Sequence, residues 1–402
     1  MIIKLAVSSK PQPGRRLFPS LTPPLVEGGG GRLLSLVIIF LVFSLYACHT
    51  PQKTPDAISA TDSMQYATGF TVSEQEDYTV VDVRDPWRKE RLLQRYILVP
   101  REKPLPANLP EGTVIKTPIQ HAIVYSSVHC AMLDEIGAMD CVTGVCDYEY
   151  IRLEAVKTRY QSGKIQDMGV AVSPNVEKII ASGAEVILST PFENGSYGAV
   201  EKIGIPIIEC SDYMETKPLG RAEWIRFFGL LTGRTEKADS SFRETSDKYL
   251  KYKLLAENAN DRPTLLVGMK YGAPWYVASG ESFMARIFDD AGADYIFRDL
   301  PGAGGTPLSF ETVLDKAVHA DFWLILYNNN QELTYKSLKS DFTSYSQFDA
   351  FKNQHIYGCN TNFSTYYEEM PVHPDRLLAE LVAIFHPELA ENYDFRYFLP
   401  LK

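Results

Sequence analysis

Two runs of alternating β-like and helical segments, parted by a long stretch free of glycine and proline, constrain this 402-residue chain more than any single motif. Glu236 to Glu257 contains neither helix breaker, and at 1.5 Å per residue it predicts a helix about 33 Å long, the diameter of a small domain. Before it, HAIVYSS from His121 reads as a buried strand, VHCAMLDEIGA from Val128 as a helix stopped by Gly137, and CVTGVC as a strand. SPNVEKIIASGA predicts a helix with Ser173 as N-cap, Pro174 in its first turn, and Val176, Ile179 and Ile180 at helical spacing. EVILST and IPIIEC follow as strands, and Trp224, Phe227, Phe228 and Leu231 line one face of a helix ending at Gly233. Beyond the long stretch come strands TLLVGM, WYVAS, DFWLILY and HIYGC and helices ESFMARIFDDAGA, SFETVLDKAVHA and RLLAELVAIF. Strands interleaved with helices place the chain in the α/β class. The pattern predicts two Rossmann-like α/β lobes, 118–232 and 262–402, joined by a single long helix within 233–261.

The lobes echo one another. SPNVEKIIASGAEVILS and PLSFETVLDKAVHADFWLIL each run from a helix start through a glutamate into an apolar strand. Aligning Glu177 with Glu311 sets Ile179 opposite Val313 and Ile180 opposite Leu314. Ahead of the first lobe, TVVDV and RYILVP predict a small β extension over 78–117. Residues 48–77 are polar, with Pro51 and Pro55, and read as a flexible tether too poor in apolar surface to offset its ordering entropy.

Leu33 to Ala47 is a run without charge, short of the roughly 20 residues a membrane helix needs but suited to a secretory signal. Leu45-Tyr46-Ala47-Cys48 resembles the lipobox of bacterial lipoproteins, which implies a leader over 1–47 and lipid attachment at Cys48. A signal peptide cut near Ala47 and an uncleaved anchor are the alternatives. Either way the expected location is the cell envelope, facing the periplasm. The leader carries five cationic residues against Glu27, so the formal charge of −10 for the whole chain deepens on its removal. That acidity argues against a nucleic-acid partner, which would require a basic face. The five cysteines beyond Cys48 are an odd set that defines no disulfide framework, and the alternation in CVTGVC makes Cys141 and Cys146 a buried pair in preference to a metal clip.

From Thr117 to Glu388 the chain resembles the class of periplasmic substrate-binding proteins that serve ABC importers of ferric siderophores, haem and cobalamin. The resemblance is carried by HAIVYSSVHCAMLDEIGAMDCVTGV, SPNVEKIIASGAEVILST, FGLLTGRTEKA and GAGGTPLSFETVLDKAVHADFWLIL, in that order. It implies two lobes bridged by one rigid helix with modest closure, a metal chelate held between them as transported ligand, and an inner-membrane ABC permease as partner. It also implies that Glu177 and Glu311 dock onto that permease. Each stands in the first turn of a helix, where the helix dipole favours negative charge in any case.

Ligand contacts in a lobed binder come from loops at the carboxyl ends of strands. That rule selects Tyr125, Ser127 and His129 after HAIVYSS, and Phe192, Glu193, Asn194 and Tyr197 after EVILST. In the second lobe it selects Tyr271, Trp275 and Tyr276, then Asn328 and Asn329, then Asn360, Asn362, Phe363 and Tyr366. Aromatic faces and amides suit a large, partly apolar chelate with a polar rim. No arginine falls on these loop tips, which favours a neutral chelate, although Arg152, Arg159 and Arg298 could reach the cleft from elsewhere. Tyrosine ligation of bare iron would need Tyr125, Tyr197, Tyr366 and Tyr367 to converge with Glu368. No Gly-x-Ser-x-Gly elbow, phosphate loop or HExxH is present, so the reading is a binding protein with no catalytic residues, resident metal or cofactor. The alternatives are an exported lipoprotein hydrolase and a surface scaffolding or adhesion lipoprotein on the same fold.

Overall fold

The computed structural model describes residues 64–88, 90–390 and 392–402. The leader, Cys48 and most of the expected tether lie outside the described residues. Strands β1 (Phe70–Glu74), β2 (Thr79–Arg84), β3 (Leu92–Pro100) and β4 (Thr113–Thr117) form one sheet, antiparallel from β1 to β3 and parallel between β3 and β4. Strand β1 lies inside the segment expected to be tether. The alternation in FTVSE buries Phe70 and Val72, and the Phe70 ring sits 4.7 Å from Trp224 and 5.9 Å from Phe227. The chain just before β1 is also held: the buried Glu223 carboxylate accepts N–H bonds from Gln65, Tyr66 and Ala67, and the buried Glu215 from Thr68 and Gly69.

The first lobe contains β5 (Ala122–Val124), α1 (Ser127–Glu135), β6 (Val142–Val145), α2 (Glu154–Gln161), β7 (Gln166–Asp167), the hairpin β8 (Gly169–Val170) and β9 (Ser173–Pro174), α3 (Val176–Ala181), β10 (Val186–Ser189), β11 (Ile207–Glu209), α4 (Pro218–Glu223) and α5 (Ile225–Thr232). Its sheet is parallel in the order β11-β10-β5-β6-β7. Trp224, Phe227, Phe228 and Leu231 are all buried, and Gly233 ends α5 at φ 68°, in the left-handed region that glycine adopts without strain. Helix α3 begins later than expected. Ser173 and Pro174 pair in the hairpin, and Asn175 is the N-cap, its side chain accepting from the Lys178 N–H. Ile180 is exposed, so the apolar face of this short helix is narrower than its spacing suggested.

Helix α6 (Thr235–Glu257) is the long connector, packed against α5 on one side and the last helix of the second lobe on the other. Its buried face, Ala238, Phe242, Thr245 and Tyr249, recurs at helical spacing. The second lobe contains β12 (Thr264–Val267), β13 (Trp275–Ala278), α7 (Phe283–Asp290), β14 (Asp294–Tyr295), β15 (Gly305–Leu308), α8 (Phe310–Ala317), β16 (Phe322–Tyr327), α9 (Tyr335–Asp341), α10 (Asp349–Lys352), β17 (Ile356–Asn360), α11 (Tyr366–Glu369), α12 (Pro374–Phe385) and β18 (Leu399–Pro400). The sheet order is β14-β12-β16-β17-β18, with only β18 antiparallel. WYVAS is a strand outside this sheet: β13 pairs with β15 as a separate antiparallel ribbon. Ser309 caps α8 at the position Asn175 holds on α3, so Glu177 and Glu311 are each the second residue of their helix.

Candidate binding cleft between the lobes

In both lobes the parallel strands end toward loops that meet across the molecule. Arg152, beyond the carboxyl end of β6, donates from Nε to the Asn362 carbonyl at 2.7 Å and from Nη2 to Asn362 Oδ1 at 2.9 Å. Asn362 follows β17 in the other lobe, so these bonds close a seam between the two carboxyl-end faces. The same set of loops and the β13–β15 ribbon carry the exposed aromatics Tyr150 (61%), Phe192 (45%), Tyr271 (61%), Tyr276 (52%) and Phe363 (68%). Single exposed apolar residues are ordinary, but all five of these rings sit on strand-end loops or on the β13–β15 ribbon, the places from which a crevice between two α/β lobes is lined. Asparagines cluster on the two second-lobe loops at this seam: Asn328 and Asn329 are exposed, Asn360 Nδ2 donates to the Asn329 carbonyl at 2.8 Å, and Asn362 Nδ2 donates to Asn330 Oδ1 at 3.1 Å.

Four of the expected contacts are buried elsewhere. Trp275 is fully buried, its ring 5.6 Å from Trp323 and 5.8 Å from both Tyr345 and Phe348, with Nε1 donating to the Val267 carbonyl at 2.9 Å. It belongs to the core of the second lobe, and its neighbour Tyr276 takes the outward face because side chains alternate along a strand. Tyr366 is likewise core, packed among Tyr367, Tyr397 and Phe398. His129 is fully buried, its Nε2 at 3.0 Å from Asp212 Oδ1, while Arg221 Nε donates to Asp212 Oδ2 at 3.2 Å. Burial alone would raise the Asp212 carboxyl, but the His129 bond and the Arg221 charge outweigh it and hold it below its ordinary value. This is a structural charge cluster, out of a ligand's reach. Tyr125 packs with Cys146, Met168 and Ile179, and burial pushes its hydroxyl pKa up.

The remaining candidates keep their access. Ser127 is half-buried as the first residue of α1, and Glu193 and Asn194 are exposed beside Phe192. Tyr197 is half-buried and donates to Glu209 Oε1 at 3.1 Å; burial pushes the Glu209 carboxyl up, and the nearby Glu201 and Asp85 add to it. Glu177 and Glu311 are both exposed. Glu311 accepts from its own N–H and the Ser309 hydroxyl, which with Lys270 nearby lower its pKa.

Two arginines reach cleft loops, which removes the argument for a neutral ligand. One is Arg152; the other is Arg88, on the β2–β3 turn of the extension, whose Nη2 donates to Asn194 Oδ1 at 3.0 Å. Arg159 instead pairs with Asp140, and Arg298 with Asp294. Sequence reasoning missed Tyr150, Arg88 and the exposed Val170 and Val172 of the β8–β9 hairpin. The strand-end rule could have found the hairpin, since it follows β7, but β7 spans only two residues and leaves no alternation to read. The tyrosines considered for iron are divided: Tyr125 and Tyr197 pack with a small cluster of the first lobe, Tyr366 and Tyr367 with the core of the second. Among the described residues no group of three or more His, Cys, Asp or Glu side chains could hold a metal ion, Cys130, Cys141, Cys146, Cys210 and Cys359 are buried and free, and no helix is long and apolar enough to cross a membrane.

The sequence profile of a family described as periplasmic binding protein matches residues 123–362. An uncharacterized lipoprotein of Methanocaldococcus jannaschii is 27% identical over 336 residues, covering 78% of this chain and 79% of that protein. A periplasmic heme binding protein from Pseudomonas aeruginosa superposes with a TM-score of 0.55 at 15% identity, over 70% of this chain and 98% of its own. A protein of an ABC-type Fe3+-hydroxamate transport system from Saccharomonospora viridis does so with a TM-score of 0.51 at 17% identity, over 66% and 93%.

Proposed function

This chain belongs to the periplasmic binding protein family, and from that premise we propose that it is the lipid-anchored substrate-binding component of an ABC importer, capturing a metal chelate between its lobes and delivering it to a membrane permease. The observation that carries the reading is the pair of strand-end surfaces joined at Arg152 and Asn362, whose loops carry exposed aromatics and asparagines. Flat apolar rings match the body of a haem, a corrinoid or an iron-wrapped siderophore, and amides match its hydrogen-bonding rim. The metal is cargo, held by its own chelator, so the lack of a cluster of metal-ligating side chains among the described residues is compatible with the role. The fold shared with a heme-binding and an Fe3+-hydroxamate transport protein supports this ligand class, and the lipoprotein relative supports an envelope location with anchorage at Cys48. Glu177 and Glu311, exposed at equivalent places on α3 and α8, are the proposed permease contacts.

The test is the absorption spectrum of protein purified from its native host, followed by equilibrium dialysis against haemin, ferrichrome and cyanocobalamin. A Soret, ferric-hydroxamate or corrin spectrum that survives gel filtration, or saturable binding of one probe, is the expected result. A colourless protein that retains none of the three overturns the proposal.

A further inference from the structure

Arg152 is the most heavily committed side chain at the seam between the lobes. Nε and Nη2 bond Asn362 as a fork, Nη1 donates to the Glu149 carbonyl at 2.7 Å, and its backbone N–H donates to Oε1 of the buried Glu368 at 2.8 Å. The bonds continue into the second lobe. The Asn362 N–H donates to Asn360 Oδ1 at 3.1 Å and its Nδ2 to Asn330 Oδ1, while Asn360 Nδ2 holds the Asn329 carbonyl. One guanidinium of the first lobe therefore anchors both asparagine-bearing loops of the second, those after β16 and β17. Tyr150 lies two residues before Arg152 and Phe363 one residue after Asn362, and both rings are exposed. The fork thus holds a segment of each lobe that carries an exposed aromatic.

We propose that Arg152 is a positioning residue that ties the loops after β16 and β17 to the first lobe, so that this fork sets the spacing of the two strand-end faces and with it the cargo that fits between them. A lysine would keep the charge and lose the fork, because only a planar guanidinium donates two parallel bonds to one residue. The inference takes the cleft as the binding site, so its first readout needs no ligand. Hydrogen exchange followed by mass spectrometry is measured on unliganded wild type, Arg152→Lys, Asn362→Ala and the double variant. The expected result is exchange about tenfold faster at 328–331 and 360–364 on changing Arg152 in the other lobe, the low end of what a charge-assisted bond contributes. Strands β5 and β12 stay at wild-type rates, and the double variant is no faster than the faster single variant. Additive effects, acceleration spread over both lobes, or no change at these loops overturns the proposal. The second readout is stopped-flow binding of haemin. Arg152→Lys is expected to raise the dissociation rate about tenfold and leave association within about twofold, since related complexes differ mostly in dissociation. If wild type does not bind haemin, the haem reading of the cleft fails, and the exchange data still decide the role of Arg152.

Discussion

Exchanging Trp275 and Tyr276 separately for alanine distinguishes core from cleft along one strand. Trp275 is fully buried against Trp323, Phe348, Tyr345 and Phe310, and its indole N–H donates to the Val267 carbonyl. Truncating a buried tryptophan costs about 3–5 kcal/mol for lost transfer energy and the cavity left behind, and roughly 1 kcal/mol of that is the hydrogen bond. Trp275→Phe keeps a ring in the site and is expected to cost about 1–3 kcal/mol, the partial cavity and the unmade bond together. Tyr276 lies on the opposite face of β13 with half its surface in solvent, so its loss is expected to cost under about 1 kcal/mol, mostly strand propensity. Urea unfolding followed by far-UV circular dichroism reads the stability, and equilibrium titration with whichever chelate copurifies reads the binding. Trp275→Ala should lower the midpoint strongly, and Tyr276→Ala should weaken binding with only a small shift of the midpoint. A Trp275→Ala protein that unfolds at the wild-type midpoint but no longer binds would refute the placement of that ring in the core.

Three further outcomes are expected. Reversing Glu177 and Glu311 together to lysine should leave chelate binding intact and abolish uptake in cells carrying the cognate permease, because both carboxylates are exposed and neither supports the core; normal uptake would reject the docking assignment. Burial alone would raise the Glu135 carboxyl, but bonds from His373 and Ser241 outweigh it and hold the pKa at about 2 against an ordinary 4.5. Its contribution to stability is therefore complete above pH 4.5 and lost as pH falls toward 2, so the gap in urea midpoint between wild type and Glu135→Gln should close over that window; a gap independent of pH would contradict the pairing. Burial pushes the thiols of Cys141, Cys146 and Cys359 up to about 12, so these and the equally buried Cys130 and Cys210 should resist a thiol-specific chromogenic reagent until urea is added; rapid native labelling at any of the five would show a looser core.

The elements that were legible in the sequence are those whose signal is local. Trp224, Phe227, Phe228 and Leu231 declare a buried helix face by spacing alone, and the absence of breakers between Glu236 and Glu257 declares α6. The failures come where two local readings are equally good and tertiary context decides. Alternation in WYVAS requires one of Trp275 and Tyr276 to face inward and the other outward without saying which. Ser173-Pro174-Asn175 offers two caps for one helix, and the two-residue hairpin with β8 takes the first of them. Strand β1 was hidden by the polar average of its surroundings, although Phe70 and Val72 alone give it an apolar face against Trp224.

The seam between the lobes was invisible for a different reason: its partners are 210 residues apart for Arg152 and Asn362 and 238 apart for Glu135 and His373, and no periodicity relates them. The two pairs flank the packing of α1 against α11, one at the cleft loops and the other beside α6, where Ser241 also donates to Glu135. Both are polar joints. A joint of buried apolar surface would hold the lobes together by the full cost of exposing that surface to water, whereas hydrogen-bonded groups that reach solvent exchange one partner for another at a net cost of about 1 kcal/mol per bond. Apolar packing accompanies the two pairs: Val372 of the second lobe is buried in the core of the first and Leu219 of the first in the core of the second, so these contacts and α6 register the lobes and the polar pairs add direction to the joint.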